Sequence, residues 1–170
     1  MSGKTLPWIG FLLLLAAMAC KVEFSTGALP PVVASHFGPG GVPNGDMPRA
    51  TYRLLIVILV VSGPLFLAGL SLFSLGRPQA RINLPRADYW LDPARRNATL
   101  DYLAGRMRGS ALLLGLFLTY TNHLVVLAQA QHPIHLDGSR LLAGVVLLLV
   151  SLLLLLGSLV RHFRRVPTGA

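Results

Sequence analysis

The side chains in this chain that could do chemistry are chiefly its five histidines. A neutral imidazole ligates zinc or copper, and three such rings are enough for a site. His132-Pro133-Ile134-His135 forms one short polar stretch, His123 stands seven residues before Ala130, and His36 lies in an earlier Pro- and Gly-rich segment. If those segments meet, His36, His123 and His135 make a candidate metal, ligand or proton-sensing site. Their spacing matches no established metal motif, and a solvated loop histidine is the plainer reading, so no cofactor is implied. Two further polar residues sit in an apolar stretch. At 100° per residue Asn122 falls within about 20° of both Ala111 and Gly115, the position of an interhelical hydrogen bond. His123 points about 100° away from it, towards a cavity or a neighbouring helix.

Other chemistry is missing from the sequence. No nucleophile elbow, phosphate loop or zinc-protease helix is present, and no carboxylate falls within a long apolar run. These absences point to a protein that is not an enzyme and not a carboxylate-based pump. The single cysteine, Cys20, excludes an intrachain disulfide.

The elements that must position these residues follow from composition. Of 170 residues, 54% are hydrophobic and 12% charged, where a soluble domain has about 25% charged. The deficit is concentrated in four uncharged runs, which predict spans at about 5–22, 54–75, 110–130 and 141–160. The fold class expected is an all-α integral membrane four-helix bundle in a single domain. The first run also reads as a signal peptide, with Ala17-Met18-Ala19 as cleavage site. Its thin positive region, Lys4 alone, favours retention as a span.

Lysine and arginine set the orientation. With the N-terminus inside, Lys4, Arg77, Arg81, Arg86, Arg95, Arg96, Arg106, Arg108, Arg161, Arg164 and Arg165 face the cytoplasm. Lys21, Arg49, Arg53 and Arg140 face outward. Both termini are therefore expected inside, with an outer loop at 23–50 and a basic inner loop at 76–108. The net charge of +9 is placed beside apolar runs, so its partners are anionic lipid head groups and not nucleic acid.

Small residues predict packing faces: Ser62, Gly69 and Gly76 in the second span, Ala111, Gly115 and Thr119 in the third, and Gly144, Ser151 and Ser158 in the fourth. Such faces make other membrane helices plausible partners. Pro64 is expected to kink the second span. The outer loop reads as too broken for a regular element. In the inner loop, Asp92 is a candidate N-cap and Pro93 a first helical position for a surface helix towards Arg108. Leu100, Leu103 and Met107 would be its apolar face; Arg95, Arg96, Arg106 and Arg108 would meet head groups, with Tyr89 and Trp90 at the same level.

Two loop segments carry a family likeness. The first reads Leu29-Pro30, then His36-Phe37, then Gly41-Val42-Pro43-Asn44-Gly45. The second reads Asn83-Leu84-Pro85, then Asp88-Tyr89-Trp90-Leu91-Asp92-Pro93. Over roughly residues 5 to 130 the chain resembles a bacterial membrane domain of unknown function that also forms the N-terminal part of Sdp-type toxin-immunity proteins. The motif positions are Pro30, His36, Gly41, Gly45, Asn83, Pro85, Tyr89 and Trp90. The resemblance implies a multi-pass protein of the bacterial inner membrane. Two roles are expected: from the missing catalytic groups and the small-residue faces, an accessory subunit of a membrane assembly; from the resemblance and the Pro/Gly turns, a sensor, immunity or transport-like protein that binds a ligand at the outer loop.

Overall fold

The computed structural model describes residues 5–75 and 82–165. Lys4, Gly76, Arg77 and Arg81, each given a role above, lie outside the described residues. Five helices and one hairpin make up the rest: α1 (Thr5–Gly27), β1 (Val32–Phe37), β2 (Pro43–Pro48), α2 (Arg49–Leu75), α3 (Ala87–Trp90), α4 (Arg96–Gln129) and α5 (Gly138–Arg164). Four of them, α1, α2, α4 and α5, are long and apolar enough to cross a membrane. Their outward surfaces are leucine, isoleucine, valine and phenylalanine, as a hydrocarbon solvent requires.

The helices do not close a symmetrical four-helix bundle. α1, α2 and α4 pack against one another, while α5 makes its contacts with α4. The core of the three-helix unit is a stripe on α1, Phe11, Leu15, Met18 and Val22, set against Val60 and Ala68 of α2 and Ala111 of α4. The intervals of four, three and four are the helical repeat that keeps one face inward.

Gly115 marks the closest approach. A Cβ built there would stand 3.0 Å from the Met18 sulfur and 3.2 Å from Cγ of Pro64, so a larger residue would have to push both side chains aside. Ala111 and Thr119, four residues to either side, are buried on the same face, as the sequence predicts. The expected seam on α2 is not used within the chain. Ser62 and Gly69 are exposed, and the buried row is Val60, Pro64, Ala68 and Ser71. What α2 presents to its neighbours within the chain includes a proline ring and an alanine. The helix also continues through Pro64 without a break in its helical assignment. On α5, Gly144 lies beneath the Tyr120 ring, where any Cβ would collide with it. Ser158 instead bonds to the Leu155 carbonyl of its own helix.

Two loop expectations are corrected. The segment read as too broken for regular structure holds an antiparallel hairpin, Val32–Phe37 against Pro43–Pro48. Its prolines and glycines punctuate the strands without interrupting them. Pro43 and Pro48 end β2, and the turn between the strands takes Gly40 and Gly41 at φ 76° and 75°. The expected surface helix is not separate either: it is the first part of α4, which runs unbroken from Arg96 to Gln129. Asp92 does not cap it. Its side chain accepts from the Ala94 amide in a preceding turn, and Arg95 takes the N-cap position. On this continuous helix Leu103 is buried with Thr99 and Ala104, while Met107 is exposed.

Replacement of Gly115 by valine should lower thermal stability in detergent by about 1–3 kcal/mol, the usual cost of overpacking. Gly69→Val, with nothing within 4 Å of the added Cβ, should leave it nearly unchanged. Paired melting curves of the two variants check this; equal losses would refute the assigned seam.

Candidate functional site

Polar groups gather in two tiers, one at each end of the helices. At the hairpin end Asn122, buried on the α4 stripe, accepts from the Tyr52 hydroxyl at 3.0 Å and donates to Ser25 Oγ at 3.0 Å. One amide thus links α4 to α2 and to α1. In the same tier the Arg53 guanidinium pairs with Glu23, its Nε 2.7 Å from Oε2. Arg49 donates to the Gly27 and Leu29 carbonyls, satisfying acceptors that the end of α1 leaves open.

One turn pair further along, Gln129 does for the hairpin what a third strand would do. Its Oε1 accepts from the Ala34 amide at 3.3 Å and its Nε2 donates to the Ala34 carbonyl at 2.9 Å. A two-stranded hairpin is marginal by itself. This one is also held by Val33, Leu29 and Tyr52 against Val125 and Val126 of α4, and by its tip. There the Leu136 amide donates to the Gly41 carbonyl at 2.9 Å, and a Cβ on Gly41 would strike the Leu136 carbonyl. α5 then starts from Asp137, whose carboxylate accepts from the Ser139 hydroxyl and from the Ser139 and Arg140 amides. The Ser139 hydrogen bond, then that of the Arg140 amide, hold its carboxyl below the usual range.

The opposite tier is aromatic. The Trp90 indole N–H donates to the Phe163 carbonyl at 2.9 Å, and the Thr99 hydroxyl fixes the Trp90 carbonyl at 2.8 Å. His162 lies between two rings, stacked on Tyr102 with centroids 4.2 Å apart and 5.0 Å from Trp90. Phe163 is fully enclosed by the same group. The short loop before α4 therefore clamps the end of α5.

Most of the arginines assigned to head groups lie against rings here. Arg95 stands 4.1 Å over Tyr89, Arg106 covers Tyr102 and donates to its hydroxyl, and Arg108 lies 5.0 Å over Trp8. Arg96 begins α4. Of the remaining motif residues, Asn83 and Pro30 are exposed and Pro85 is half-buried.

The histidine triad is not assembled. Among the described residues no group of three His, Cys, Asp or Glu side chains stands close enough to hold a metal ion. His36 is exposed on β1, its Nδ1 3.0 Å from Ser35 Oγ, opposite Gly45, whose missing Cβ leaves room for its ring. His135 sits beside Gly41 at the hairpin tip. His123 faces elsewhere, into a groove between α1 and α4 shared with Lys21. Its neighbour Asn122 is tied to Ser25 and Tyr52, so His123 stands in the hairpin-end tier. The last turns of α4 rise beyond that tier, beneath the hairpin.

Sequence reading found Asn122 and missed its partners. Gln129 was legible, since it follows Asn122 by seven residues and so falls on the same buried face. Tyr52, Ser25 and the Trp90 clamp join positions far apart in the chain, and no local spacing announces them. Among the described residues no buried side-chain polar atom lacks a partner, as a stable polar network requires. Comparisons with family models, curated proteins and solved structures give no match.

Asn122→Ala should cost about 0.6–2 kcal/mol in a detergent melt, the range for intramembrane hydrogen bonds. Gln129→Leu should speed amide exchange at Ala34 while leaving exchange in α1 unchanged; uniform protection would refute the bracket. Zinc calorimetry should show no binding that a His36→Ala, His123→Ala, His135→Ala variant lacks.

Proposed function

We propose that this chain is a non-catalytic multi-pass protein of a bacterial inner membrane, an accessory subunit that holds a helix for another membrane protein. The observation that carries the reading is α5, whose apolar 18-residue window contains no buried residue. The helix is nonetheless fixed at both ends. Near its start the Tyr120 hydroxyl donates to the Arg140 carbonyl at 2.8 Å; at its finish Trp90 and Tyr102 grip His162 and Phe163.

The ties on α4, Tyr102 and Tyr120, are about 27 Å apart at 1.5 Å per residue, and those on α5, Arg140 and His162, about 33 Å. Both lengths match the roughly 30 Å of a bilayer's hydrocarbon core. Between them Leu142, Val146, Leu149, Leu153 and Leu156 recur at four and three along an exposed face, the interval of a helix-pairing seam. The positive-inside count orients this body with both termini in the cytoplasm and the hairpin outside. Retention of α1 is part of the same reading, because cleavage after Ala19 would take Phe11, Leu15 and Met18 out of the core.

A second reading keeps the kinship with the toxin-immunity domain and a ligand at the outer loop. What favours it is the hairpin, braced by Gln129 and Leu136 and presenting His36 and Asn44 exposed. Substituting both residues should then abolish a phenotype at unchanged membrane abundance.

Purification from native membranes in mild detergent should recover the chain with a stoichiometric membrane partner, and Leu149→Trp with Leu153→Trp should release that partner at unchanged yield of the chain. A monomer without partner overturns the accessory role. A reporter fused behind Ala170 should be active in the cytoplasm; periplasmic activity inverts the orientation.

A further inference from the structure

Lys21 and His123 face one lateral groove of about 400 Å³ between α1 and α4. The rest of its wall is mainly apolar, with Leu14, Ala17 and Met18 on α1 and Leu116, Thr119 and Tyr120 on α4. Tyr120 and Leu116 also line a second groove, of about 470 Å³, between α4 and α5. The two grooves therefore adjoin across Leu116 and Tyr120, forming a trough of two channels between helices long enough to cross a membrane.

Charge and apolar surface are distributed as in an amphiphile site. Lys21 and His123 stand in the hairpin-end tier, at the head of the trough, and neither side chain has a hydrogen-bond or ionic partner among the described residues. The nearest carboxylate in sequence, Glu23, is two residues on and so about 200° around the helix, where it is taken by Arg53. An ammonium and an imidazole N–H can both donate to one phosphate oxygen cluster. Below them the trough is mostly hydrocarbon, broken by Thr119, Tyr120 and Ser151. A water-soluble anion would leave that surface uncovered. An apolar helix would bury the Lys21 ammonium without a counter-ion, at several kcal/mol. A second copy in a two-fold contact would set Lys21 against Lys21.

We infer that this trough binds one anionic phospholipid from the leaflet at the hairpin end, its phosphate on Lys21 and His123 and its chains laid on either side of Leu116 and Tyr120. The site is independent of the face of α5 proposed to meet a partner, since Leu149 and Leu153 do not line it.

Photo-crosslinking tests it with the full chain in vesicles and two probes, phosphatidylglycerol and phosphatidylcholine carrying the same diazirine acyl chain. Peptide mapping should place phosphatidylglycerol adducts on residues 14–21 and 113–123 at several times the phosphatidylcholine yield. Lys21→Gln with His123→Gln should remove that preference, while adducts around Arg161 and Arg164 at the other end stay constant as the control for folding and insertion. Ala17→Trp should cut adducts from both probes in the α1–α4 groove. Equal labelling by the two probes, or a preference that survives the double substitution, overturns the proposal.

Discussion

Between helices in lipid there is little hydrophobic drive, because a lipid tail covers leucine as well as another leucine does. Association therefore depends on how closely backbones approach and on the polar groups they can share. In this chain both requirements are met along one stripe of α4. Ala111, Gly115 and Thr119 provide the close approach, with Pro64 and Met18 in contact distance of the glycine position. Asn122 and Gln129, further along the same stripe, provide the shared polar groups. α1, α2, the hairpin and α5 all take their place from this one helix.

The two tiers explain why the arrangement holds at both faces. Polar pairings in the middle of a span would be costly to form and of little help in fixing depth. Placed at the ends, they cap free carbonyls, pin the hairpin and set the register of neighbouring helices. The hairpin end uses amides and an ion pair; the other end uses rings and arginines, the residue types suited to an interface that is part apolar and part wet. α5 depends on both, since between its two ties only the face with Gly144 is close to α4.

The spans were legible because hydropathy and length are local properties, and the α4 stripe because small residues recur there at the helical period. The hairpin was not, since proline and glycine read as disruption unless their positions at strand ends and in a positive-φ turn are known. α2 misled for a different reason: in a helix apolar on every side, periodicity of glycine and serine does not say which face is covered. The histidine triad misled because sequence proximity to one side of the membrane says nothing about direction. His36 and His135 belong to the hairpin and its docking partner, and His123 points into a lateral groove.

Several of the loop residues singled out in the sequence have packing explanations. Gly41 permits the hairpin tip to reach Leu136, Gly45 makes room for His36 across the strands, and Trp90 closes the clamp on α5. Tyr89 supports Arg95 at the start of α4. Residues constrained in this way mark a fold and are compatible with many activities. Whatever distinguishes this chain must instead lie in residues that the fold does not require. Lys21, His123 and the outer face of α5 meet that description: each is exposed, and none of the contacts that assemble the bundle would be lost by changing it.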